Sequence, residues 1–147
     1  MSATVAARLA AAMSTSVSHE QARRILDAGI AKAEEIGQPM NIAVVDDGGH
    51  LVAFGRMDGA IRASIDISTR KAVTSVLMNL PTSALTDLVQ PGAELYGLEH
   101  TAGGMVAFGG GIPLHRDGEL VGAVGVSAGS VAQDVAVATA AAAALDS

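Results

Sequence analysis

Small and apolar residues recur at Ala22, Ile25, Leu26, Gly29, Ala33 and Ile36, the spacing of one helical face, and predict a helix over about 19–36. Ser18 supplies the N-cap hydroxyl. Gln21, three residues on, completes a capping box, and Gly37 followed by Pro39 ends the helix. The period then changes. NIAVVD (41–46) and HLVAFGR (50–56) flank Asp47-Gly48-Gly49, a strong hairpin signal. A second helix is predicted over about 61–79, with Ile61, Ile65, Ala72, Val73, Val76 and Leu77 as its core stripe and Arg62, Asp66 and Arg70 as an i,i+4 charge ladder. Its other side carries Ser64, Ile67, Lys71, Ser75 and Met78. A helix small or apolar on both sides is expected to be covered twice, the second time by another subunit.

Pro81 breaks that helix. Residues 82–104 read as irregular, with a short helix near Ser83 to Val89. Met105–Phe108 and Ile112–His115 read as two short strands around Gly109-Gly110-Gly111, and Asp117-Gly118 turns the chain into Leu120–Val126. A last helix starts at Ser130, with Gln133 completing a second capping box, and runs to Leu145. The order α, ββ, α, βββ, α predicts an α+β fold: an antiparallel sheet of about five strands with helices on both faces. Residues 1–17 read as a flexible or helical arm and 18–147 as a single domain.

Composition narrows the picture. Half of the 147 residues are hydrophobic, yet there are two Phe, one Tyr and no Trp, so the core must be aliphatic. Seventeen glycines imply close backbone approach. A net charge of −6, with Lys32 and Lys71 the only lysines, argues against a nucleic-acid partner, because phosphate neutralisation needs clustered Lys and Arg. The absence of cysteine excludes disulfides, thiolate metal sites and covalent c-type haem attachment. The Ala-rich first residues are weaker than a signal-peptide core and no segment has the length of a membrane span, so a cytoplasmic protein without a membrane partner is expected.

Gly125-Val-Ser-Ala-Gly129 matches G-x-S-x-G, the spacing of a nucleophile elbow. That architecture needs a histidine after the serine. Here the last histidine is His115, and only Asp134 and Asp146 are ionisable beyond Ser127. The stretch therefore reads as a tight strand-to-helix bend. Lys71 sits in mid-helix among small residues. It either holds a carboxylate in a partly closed pocket or reaches to solvent or a neighbouring subunit, and both readings stand. Strand alternation puts His50, Val52, Phe54 and Arg56 on one face, the rim of a pocket or a solvent-facing turn. Glu99-His100, with Glu94 nearby, lacks any i,i+4 histidine pair, and no metal site is predicted. Gly109–Gly111, preceded by Gly103-Gly104, is a structural turn or a place where backbone N–H groups meet a ligand.

Four blocks in order carry a family resemblance: NIAVVDDGGHLVAFGRMDGA (41–60), SIDISTRKA (64–72), FGGGIPL (108–114) and DGELVGAVGVSAGS (117–130). With them, over about residues 18–146, the chain resembles the GlcG/HbpS family, also called the haem-degrading or DUF336 family. The resemblance implies a compact domain with an antiparallel sheet and flanking helices, assembled into homo-oligomers, commonly octamers. It implies a pocket drawing on His50, Arg56, Met57, Asp58, Lys71 and the Gly109, Gly110, Gly111 turn. Some members bind haem, which here would be held non-covalently with His50 or another histidine as axial ligand. A related domain is fused to a corrinoid adenosyltransferase. Beside this small-ligand binder stands a cofactor-free isomerase, lyase or hydratase acting on a small carboxylated or carbonyl metabolite. In that reading Lys71 or Arg56 holds the anion, the Gly109–Gly111 amides meet developing oxyanion charge, and His50 or Glu99 moves the proton. A third reading is an accessory assembly protein. The expected partners are a small molecule and further copies of the chain.

Overall fold

The computed structural model describes residues 3–13 and 16–146. Helix α1 spans Ala3–Met13 and α2 His19–Ile36; strands β1 (Asn41–Asp46) and β2 (Leu51–Arg56) follow, then α3 (Ala63–Met78). Two 3-10 segments, Thr82–Val89 and Leu98–His100, lead to β3 (Gly111–Arg116), β4 (Glu119–Ser127) and α4 (Val131–Ala142). The four strands lie in the order β2-β1-β4-β3, every pair antiparallel. Helices α2 and α4 pack on one face and α3 on the other. Among the described residues no helix is long and apolar enough to cross a membrane.

Both capping boxes form. Ser18 Oγ accepts from Gln21 N while Gln21 Oε1 accepts from Ser18 N, and Ser130 and Gln133 repeat the arrangement. Gly37, left-handed at φ 70°, closes α2. In the first hairpin Asp46 Oδ1 accepts from the amides of Gly48 and His50, both at 2.9 Å, which fixes the turn. The larger core layer joins Ile25 and Ala33 of α2, Ile42 and Val44 of β1, Val124 and Val126 of β4 and Val137 and Ala141 of α4.

Two expectations are corrected. Met105–Phe108 is not a strand, so the sheet has four strands rather than five. Its backbone is bonded by side chains instead: Val106 N donates to Thr74 Oγ1 and Ala107 O accepts from Thr86 Oγ1. The second correction concerns α3. Ala72 and Val76 of the expected stripe are buried, but Ile61 (59% exposed) and Leu77 (53% exposed) face outward, and Ser64, Ser68, Lys71 and Ser75 are buried against the sheet. The cause lies in the strands. Ala43, Gly125 and Gly111 stand side by side across β1, β4 and β3. This row without large side chains lets the helix backbone descend onto the sheet, and only small residues fit its underside.

Candidate functional site

The burial of α3 fixes Lys71. Its side chain is fully buried. Nζ donates to the Val126 carbonyl of β4 and to Asp134 Oδ2 of α4, both at 2.8 Å. The other Asp134 oxygen accepts from Gly129 N at 3.0 Å. The Phe108 ring centroid lies 4.8 Å from Nζ, a cation–π distance. Gly110, at φ 130°, closes the amine from above, for a Cβ there would stand 2.6 Å from Nζ. Burial pushes the Lys71 ammonium below its ordinary range and the Asp134 carboxyl above its own, and their contact pulls each part of the way back. The arrangement is a sealed ion pair that ties α3, β4 and α4 together.

The lysine thus pairs with a carboxylate of its own chain. Asp134 is the residue the sequence reading left without a role. Its signal was its place in the first turn of α4, where a carboxylate also favours the positive end of the helix. Gly110 and Gly111 of the triplet do meet Lys71, as packing surface, while Gly109 faces Val131 and Val135, and Gly111 N donates to Thr82 Oγ1 at 2.9 Å. Ser127 is buried and its hydroxyl donates to Ser64 Oγ at 3.0 Å. No base reaches it from that bond, in keeping with a bend rather than a nucleophile.

His50 lies elsewhere. Val126, which receives the Lys71 amine, pairs with Ile42, whereas His50 adjoins Asp46. Asp46 is four steps along β1 from Ile42, about 13 Å at the rise of a strand. Glu99 is separated from Lys71 by Phe108, whose ring borders both. It lines a cavity of about 320 Å³ with Thr86, Gln90, Met105 and Phe108. Lys71, His50 and Glu99 therefore do not converge. Arg56, Met57 and Asp58 do share one cavity, of about 290 Å³, and Arg62 completes it. Among the described residues no group of three His, Asp or Glu side chains is placed to hold a metal ion.

The histidines show an order of their own. Val17 N donates to Val121 O, and Ser16 Oγ donates to Val121 O and accepts from Asp47 N, which ties the chain just before α2 to the β1–β2 turn and places His19 and His50 at the same end of the sheet. His115 pairs with Leu120 on the same end of the sheet, and its Nε2 lies 2.7 Å from Asn79 Oδ1 at the end of α3. His19, His50 and His115 are all exposed. Leu51, Leu77 and Leu80, 55%, 53% and 39% exposed, belong to the same end.

Residues 17–143 match the family described as Haem degrading protein HbpS-like. The chain belongs to the HbpS-like family. Protein GlcG of Escherichia coli K12 is 40% identical to it over 111 residues, 76% of this chain and 81% of GlcG. The corrinoid adenosyltransferase PduO of Citrobacter freundii is 42% identical over 151 residues, which is 97% of this chain and 45% of PduO. The chain thus spans less than half of that enzyme. Among solved structures, Klebsiella pneumoniae ORFY superposes with a TM-score of 0.87 at 37% identity, covering 89% of this chain and 91% of ORFY. A PduOC:haem complex superposes with a TM-score of 0.85 at 40% identity, covering 89% of this chain and 96% of that one. The α+β fold with its four-stranded antiparallel sheet is the fold of the HbpS-like structures.

Proposed function

We propose that this chain is a ligand-binding protein that holds haem non-covalently at the histidine end of its sheet. The observation that carries the reading is the likeness, over 89% of the chain, to a protein crystallised with haem. The donor set here fits the group. His50 or His19 would hold the iron through an imidazole nitrogen, and both side chains are exposed at one end of the fold. Exposed Leu51, Leu77 and Leu80 supply apolar surface at that end for the macrocycle. When bound, the haem would supply ligand or electron chemistry at its iron. The chain's own part is to present the donor and shield one face. A second copy would cover the other face, which joins this reading to assembly into a homo-oligomer of octamer size.

Haemin titration is expected to give a saturating Soret shift. His50→Ala or His19→Ala should abolish it, and His100→Ala, which removes neither of these donors, should leave it intact. Absence of saturation, or a shift that survives both changes, would refute the reading.

A further inference from the structure

We propose a second, separate site: the cavity between the end of β2 and the start of α3 binds a small aliphatic carboxylate through Arg56 and Arg62. Nine side chains of the protein are basic, against fifteen acidic ones. Five of the nine are paired: Arg24 with Glu20, Lys32 with Glu35, Arg70 with Asp66, Lys71 with Asp134 and Arg116 with Asp146. Among the described residues Arg56 and Arg62 make no ion pair or side-chain hydrogen bond, although carboxylates are abundant, and both line one cavity of about 290 Å³. A guanidinium fork matches a carboxylate in two parallel hydrogen bonds. Met57 and Ala60 on the same walls offer apolar contact to a short carbon skeleton.

The walls are built rather than loose. Met57 N donates to Met40 O, and Ala60 N to Met57 O. The fully buried Asn41 donates from Nδ2 to the Ile61 carbonyl at 3.0 Å, holding the next turn of chain. Arg62 also heads the 16-residue helix α3, whose start no side chain caps, so the positive end of the helix adds to the guanidinium field. Asp58 is the single acid in the lining; it leaves the local charge positive and favours a small anion over a highly charged one.

This site does not rest on the haem reading. Leu51 and Arg56 are the two ends of β2, about 16 Å apart along the strand, so the arginines are remote from His50. Calorimetric titration with succinate is expected to show saturable binding that weakens with added salt. Arg56→Ala and Arg62→Ala should each weaken it roughly tenfold or more, the loss of one charge-assisted contact. Asp58→Asn should strengthen it. Both arginines are exposed, so the variants should keep the parent's thermal unfolding and its response to haemin. Binding that survives both arginine changes, the absence of succinate binding, or binding of inorganic phosphate without succinate would overturn the proposal.

Discussion

Lys71→Met alone is expected to cost about 3–5 kcal/mol of unfolding free energy, as is Asp134→Leu, and the double variant should recover most of that loss. Each single change strands a charge in a place closed by Gly110, Phe108 and Val126. The double change removes both charges and leaves apolar groups of similar bulk. The pH dependence separates the two single variants. Burial holds the Asp134 carboxyl above its ordinary 3.8, so its contribution to stability is fully present below that value and is lost as pH rises through its folded pKa. Burial holds the Lys71 ammonium below its ordinary 10.5, so its contribution is present above that value and is lost as pH falls through its folded pKa. The charged pair is therefore least favourable between those limits, and the apolar double variant gains most there. Lys71→Met lets Asp134 take up a proton, so its deficit should shrink toward acid. Asp134→Leu lets Lys71 release one, so its deficit should shrink toward alkali. With no tryptophan in the chain, urea unfolding followed by far-UV circular dichroism is the measurement. Single variants within 1 kcal/mol of the parent, or a double variant as unstable as the sum of its parts, would refute this account.

The same pair marks how far the sequence could be read. Local chemistry was fully legible. Ser18 with Gln21, Ser130 with Gln133, and the turn after Asp46 make bonds within a few residues, so their geometry follows from spacing alone. The faces of α3 were not, because its inner side is chosen by what stands across from it. Of the expected stripe, Ala72 and Val76 are buried whereas Ile61 and Leu77 point outward, since the glycine row leaves little room for large side chains beneath the helix. A signal was present: Ser64, Ser68, Lys71 and Ser75 fall at i, i+4, i+7 and i+11, a stripe of small residues around one lysine. Met105–Phe108 misled for a related reason. An apolar run of that length is equally a strand or a buried coil, and only the hydroxyls of Thr74 and Thr86 decide. The lysine's partner was hidden by distance, since Asp134 stands 63 positions along the chain from Lys71. The candidate site divided in the same way. Gly110 and Gly111 meet Lys71, Arg56 to Asp58 share a cavity, His50 stands apart because strand register sets its level, and Glu99 lines a separate cavity from a 3-10 segment.

Gly125→Ala is expected to destabilise the fold by about 3 kcal/mol, the upper end for overpacking a core, although it adds one carbon. The added Cβ would lie on the Ser68 carbonyl oxygen and 2.6 Å from Ala72 N, both backbone atoms of α3. No rotamer change relieves such a contact; the helix itself must rise from the sheet. Lifting α3 would stretch the bonds from Lys71 to Val126 and Asp134 and from Ser127 to Ser64, so the cost exceeds that of the methyl group. Gly48→Ala supplies the comparison. There the new Cβ meets the His50 ring at 3.1 Å, a side chain free to turn away in an exposed hairpin, and the loss should stay below about 1 kcal/mol. Combining Gly125→Ala with the Lys71→Met/Asp134→Leu double variant tests the mechanism further. If the helix must lift, the penalty should fall once the ion pair is gone, because no buried charges are pulled from their partners. Equal losses at Gly125 and Gly48, or a penalty at Gly125 indifferent to the ion pair, would mean that α3 does not depend on the glycine row for its seat on the sheet.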